Sequence, residues 1–165
     1  MILISYLIYQ RYNPQKLAFD LTNVATSQNK INESRQPVGI KISSLKIELP
    51  VVPTKIENNK WEASTKGVSY LDSSVIPGEK GNSILYSHNW PNLLGNLNKI
   101  KTGDNITIFY SDNSQHSFEV EYLSVVKPGD TSILKNSTDN RITLYTCTGF
   151  LDSKRLVVVA KLLST

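Results

Sequence analysis

The chain has 165 residues, of which 19% are charged, a net charge of +4 and a single cysteine. That length fits one domain with a tail. One thiol excludes an internal disulfide, CxxC redox chemistry and a multi-thiolate zinc site, and the scattered lysines form no run that could track a nucleic-acid backbone.

Met1 to Tyr9 is almost wholly apolar and is followed by Gln10 and Arg11. It is about half the ~20 residues that a membrane-spanning helix needs. No basic region precedes it and no small-residue cleavage site follows it. Three readings fit: the outer half of a membrane anchor, an apolar patch packed on the domain, or the remnant of a cleaved signal. Residues 10–38 favour the first. They read as a polar stalk rich in Asn, Gln, Ser and Lys, with Leu17, Leu21 and Val24 on one helical face.

From residue 39 to 165 the grammar is β. Ile40 and Ile42 alternate, then Leu45, Ile47 and Leu49, with a slip at Ser43-Ser44 that predicts a turn or bulge. Pro50 and Pro53 argue against a central ladder position. Turns are expected at Pro77-Gly78 and Lys80-Gly81-Asn82, and a short apolar strand, Ser83 to Ser87, leads into His88. Leu93, Leu94, Leu97 and Ile100 have helical spacing. Ile106, Ile108 and Tyr110 alternate, Ser111 to Gln115 turns, and Phe118, Val120 and Tyr122 alternate back as a hairpin. "RITLYTC" and "KRLVVVAKLL" close the chain as two strands. The pattern predicts an all-β domain of about seven or eight strands with one or two short helices, closed into a barrel.

The last two strands bear on chemistry. Side chains alternate along a strand, so Thr143, Tyr145 and Cys147 share a face. If Cys147 stands opposite Arg155, residues 148 to 154 form the loop, and a guanidinium lies beside the thiol. A cation there favours the thiolate and offers fixed donors to an oxyanion. Free cysteine is also a common core filler, but a filler gains nothing from such a neighbour. A nucleophilic thiol needs a proton partner. His88, just past a strand, is the better candidate. His116 falls at a hairpin tip, where a solvated polar residue is expected.

Thr143-Leu-Tyr-Thr-Cys147 resembles the TLxTC signature of bacterial sortases. The resemblance runs from about Gly39 to Leu163. It takes in the strand-end histidine of "ILYSHN", the "IKTGDNITI" run and the "KRLVVVAKL" strand that supplies the arginine. It implies an eight-stranded barrel and a cysteine transpeptidase that cleaves an LPxTG-type motif between Thr and Gly. Cys147 would be the nucleophile, His88 the general acid and then base, and Arg155 the oxyanion and backbone holder. Thr146 matches the family by type only. The acyl group would pass to an amine on a cell-wall precursor or a pilin, with the N-terminus in the membrane and the domain on the extracellular face. No cofactor or metal is implied, since Glu57, Glu62 and Asp72 are isolated. Ser87 departs from the glycine that many members carry. The alternatives are a hydrolase with the same triad, a silent β-barrel binding module, and an adhesin domain in which Cys147 is core.

Overall fold

The computed structural model describes residues 4–6, 8–9, 35–57, 60–61 and 63–163. The polar stalk expected over 10–38 lies outside them except for its last four residues. Residues 4–6 and 8–9 are helical, and Ile4, Tyr6, Ile8 and Tyr9 expose their side chains. Among the described residues, no helix is long and apolar enough to cross a membrane.

Among the described residues ten strands follow: β1 (Pro37–Ile42), β2 (Ile47–Thr54), β3 (Ile56–Glu57), β4 (Lys60–Trp61), β5 (Val68–Leu71), β6 (Gly81–Tyr86), β7 (Asn105–Tyr110), β8 (Gln115–Val126), β9 (Asn140–Thr148) and β10 (Lys154–Leu162). Eight of them close into a barrel in the order β1-β2-β5-β6-β9-β10-β8-β7, while β3 and β4 form a separate two-stranded hairpin. The pairings β2–β5 and β6–β9 are parallel, and the rest of the barrel is antiparallel. The short helices take the form of single 3-10 turns, such as Ser43–Leu45 at the Ser43-Ser44 slip and Leu97–Lys99.

Two apolar layers hold the barrel. Side chains of alternate positions, including Ile40, Ile42, Ile106, Ile108, Phe118, Val120, Ile142, Leu144 and Val158, form the main core. The opposite face of β6, β9 and β10 carries a second cluster, with Ile84, Tyr86, Tyr145, Cys147, Val157 and Val159 joined by Leu71, Trp61 and Leu134. Because β10 is covered on both faces, its centre reads as the unbroken apolar run Leu156 to Ala160, rather than as an alternation.

The prolines of β2 sit inside the barrel ladder, against the sequence expectation. The register explains how they are tolerated. β2 pairs with β1 over Ile47–Pro50 and with β5 over Val51–Thr54. Each half of the strand is laddered on one side, so a residue without an N–H costs no second bond.

The Leu93-to-Ile100 segment also departs from its periodicity. All four apolar residues are buried, but the chain runs through turns. Leu93 N and Gly95 N both donate to Trp90 O, at 2.9 Å each, and Leu94 N donates to His88 O at 3.1 Å. The backbone passes so close to itself that a Cβ at Gly95 would lie 2.6 Å from Trp90 O. The segment thereby braces the stretch that follows β6.

Candidate active site

β9 and β10 pair with Cys147 directly opposite Arg155. Directly opposed residues project to one side with Cβ atoms about 5 Å apart, so the guanidinium stem rises beside the thiol. On the other flank of β9, β6 runs parallel and places Tyr86 level with Tyr145. Two residues further on, His88 lies just past the end of β6 and Cys147 lies within β9. Equal steps along level parallel strands keep the same facing, and the ladder extends past β6 through Ser87 N donating to Tyr145 O, at 3.3 Å. His88, Cys147 and Arg155 therefore gather at one end of one barrel face. His116 is elsewhere, at the start of β8, half-buried against Arg35 and Tyr110. It is not the solvated tip residue that its place in the hairpin suggested.

All three clustered side chains are buried, with exposures of 3% for His88, 3% for Cys147 and 4% for Arg155. The Tyr86 hydroxyl and the Cys147 sulfur are within hydrogen-bond reach at 3.5 Å. Burial, and then the neighbouring sulfur, pushes the Tyr86 hydroxyl well above its ordinary pKa, so it stays a neutral donor. His88 lies edge-on to the Tyr86 ring at 6.0 Å and stacks on Trp90 at 4.3 Å with 13° between planes. Burial lowers the pKa of His88, and the Asp152 carboxylate opposes that shift. Its Nε2 is buried and has no hydrogen-bond partner among the described residues. Arg155 Nη1 donates to the main-chain oxygens of Asp152 and Lys154, both at 2.9 Å.

Several neighbours were not singled out from the sequence. Trp61 covers Tyr86 and Tyr145 with ring centroids 6.0 Å from each, and its Nε1 donates to Thr54 Oγ1 at 2.6 Å. Asn89 Nδ2 donates to Asp152 Oδ1 at 2.9 Å. Tyr86 and Tyr145 were within reach of a strand argument, because each lies two residues before His88 or Cys147 and so shares its face. Asn89 and Asp152 carry no such signal. Ser87 turns its hydroxyl to Gly67 O at 2.9 Å. Further down the same face, beyond Tyr145 from the thiol, a polar cavity of ≈ 160 Å³ is lined in part by Asn82, Ser132, Lys135, Arg141 and Thr143. Among the described residues, no group of three or more His, Cys, Asp or Glu side chains could hold a metal ion.

A buried thiol beside a guanidinium and a histidine, on a closed barrel, is the set of groups that cysteine acyl transfer uses. The comparisons make the assignment particular. The sortase domain model matches residues 40–163, and the chain belongs to the sortase family, the cysteine transpeptidases. Among solved structures it is similar to Listeria monocytogenes sortase A, with 28% identity and a TM-score of 0.62 over 78% of this chain and 88% of that one. A lid mutant of Corynebacterium diphtheriae sortase A matches at 25% identity and a TM-score of 0.68, over 99% and 95% of the two chains. The sortase D5 transpeptidase of Clostridium perfringens shares the fold at 22% identity and a TM-score of 0.66, over 78% and 79%. No curated protein matches the chain.

Proposed function

We propose that this transpeptidase acts on an LPxTG-type sorting motif, with Cys147, His88 and Arg155 as its reacting and charge-stabilising groups. The observation that carries the reading is the Cys147–Arg155 cross-strand pair, with His88 just past the end of the strand that neighbours the thiol. The Cys147 thiol passes its proton to His88 and the sulfur attacks the carbonyl carbon of the Thr–Gly bond. Arg155 stabilises the oxyanion as it develops. His88 gives its proton to the departing glycine nitrogen, leaving a thioester on Cys147. An incoming amine then attacks the thioester, and His88 takes the amine's proton and returns it to the departing Cys147 sulfur as a new amide forms. The leaving group departs on the His88 side.

The acceptor is an amine on a cell-wall precursor or a pilin lysine, and the substrates are secreted proteins carrying the motif near their C-termini. The N-terminal segment attaches the protein to the cell membrane, with the barrel on the extracellular face. The exposed Ile4, Tyr6, Ile8 and Tyr9 support that reading.

Intact-mass analysis of the chain with LPxTG-like peptides tests the chemistry, with and without triglycine or hydroxylamine. The expected result is an acyl adduct on Cys147, absent from Cys147→Ala, that is resolved into a joined product or a hydroxamate. Resolution to free acid alone, at a rate indifferent to added amine, would make the enzyme a hydrolase. A thiol that forms no adduct and resists alkylation would leave Cys147 as core.

A further inference from the structure

We propose that Asp152 is a positioning residue that locks the two sides of the site together, holding the His88 stretch through its carboxylate and Arg155 through its main-chain oxygen. The proposal rests on the roles given to His88 and Arg155 above.

The β9–β10 loop is held in an uncommon shape. Leu151 and Asp152 are consecutive non-glycine residues with φ of 51° and 60°. That region is unfavourable for an ordinary side chain, although Asp tolerates it better than Leu. Apolar packing does not compensate, since Phe150 is 85% exposed and Leu151 48%. What the conformation achieves is placement of Asp152. Its Oδ1 accepts from Asn89 Nδ2 at 2.9 Å, and its main-chain oxygen accepts from Arg155 Nη1 at 2.9 Å. One residue thus ties down the neighbour of His88 and the guanidinium. Backbone strain retained where two functional groups meet marks a positioning device.

The other side of His88 is held independently. Trp90 stacks on the ring, and Tyr86 meets it edge-on. With Asn89 fixed by Asp152, both residues after His88 are constrained, and the imidazole keeps one orientation. The carboxylate also acts through charge, favouring the imidazolium that must donate to the leaving nitrogen.

The chain has only two histidines, so the His88 ring can be followed by NMR and assigned with a His116→Gln variant. Three variants in the full-length chain separate the contributions. Asp152→Gly removes the carboxylate and relieves the left-handed strain, so folding is favoured while the tie is lost. Asp152→Asn keeps an acceptor oxygen for Asn89 and removes only the charge. The exchanged pair Asn89→Asp with Asp152→Asn restores a donor–acceptor bond in the reverse sense.

The expected result for Asp152→Gly is a fall in kcat of about 10- to 100-fold with KM little moved, the scale of a displaced catalytic group. Its His88 titration moves to lower pH. Asp152→Asn moves the titration in the same direction and loses less of kcat. The exchanged pair recovers kcat relative to Asn89→Asp alone, in which two carboxylates face each other. The proposal is overturned if Asp152→Gly leaves kcat and the His88 titration at their wild-type values, or if the exchanged pair is no better than Asn89→Asp. If the unmodified chain forms no acyl adduct, the assigned chemistry is wrong, and the tie is then decided by the titration alone: a shift in Asp152→Gly sustains it and no shift removes it.

Discussion

Thr146 donates its hydroxyl hydrogen bond to the main-chain oxygen of Ser87, 2.7 Å away. Thr146 faces the barrel interior while its neighbour Cys147 faces the site, so the bond ties the strand carrying the thiol to the residue before His88, out of reach of substrate. Thr146→Val keeps the shape but strands a buried carbonyl oxygen, at a cost of about 1–3 kcal/mol. The expected outcome is a lower denaturation midpoint together with an acylation rate reduced about tenfold by the loosened spacing. Thr146→Ser, which retains the hydroxyl, should restore both. Urea titration and the time course of the acyl adduct check the pair.

Arg155 should not be replaceable by lysine. Its Nη1 is committed to two loop carbonyls while the stem stands opposite Cys147. A planar fork can serve both at once, whereas an ammonium is a single point charge. Arg155→Ala is expected to lower the acylation rate about 10²–10³-fold, the scale of losing an oxyanion donor. Arg155→Lys should recover only a small part of that. Single-turnover mass spectrometry gives both rates.

Trp61 joins the β3–β4 hairpin to the site face. It is 2% exposed, and its ring packs against Tyr86 and Tyr145. Trp61→Ala is expected to cost about 3 kcal/mol, or a fall in melting temperature of about 10 °C for a domain of this size. Trp61→Phe keeps a ring and loses the N–H donated to Thr54, so its loss should be nearer 1 kcal/mol. Thermal melts followed by circular dichroism distinguish the two.

Stability should fall on acidification. Arg35 Nη2 lies 3.0 Å from His116 Nε2 and 3.2 Å from Nδ1, and its guanidinium covers the Tyr110 ring at 4.3 Å. Only a neutral imidazole can accept from that arginine. Burial, and then Arg35, lowers the His116 pKa, with Asp112 opposing. A histidine whose folded pKa lies below its ordinary value of about 6.5 is bound more weakly by protons in the native state. Its contribution is therefore full above that pH and is lost as the pH falls through the depressed value. His88 contributes with the same sign. Melting temperature should drop between pH 7.5 and 5, and His116→Gln should flatten the drop without abolishing it. A flat profile in the unmodified chain would remove the argument.

The parts of the site that lie on strands were legible in the sequence. Alternation and turn residues between Thr148 and Lys154 were enough to put Cys147 opposite Arg155, because both ends of that pairing belong to one hairpin. The parts created by long-range contact were not. Asn89 and Asp152 are 63 positions apart and meet across two loops, where no periodicity operates. His116 looked like a tip residue because nothing local announces that Arg35 returns to cover it. Pro50 and Pro53 argued against a ladder because the rule assumes one partner along a strand, whereas β2 changes partner between them.

The parallel β6–β9 ladder sets when His88 and Cys147 come together. β6 ends at Tyr86 and β9 begins at Asn140, so two whole strands and their turns must be made before these two can pair. Non-local pairings of this kind form slowly, because chain closure must precede the contacts that reward it. Arg155 can reach Cys147 within the β9–β10 hairpin, but His88 is brought to the thiol only when β9 is seated on β6. In the proposed mechanism the thiol is therefore a latent nucleophile until the barrel closes.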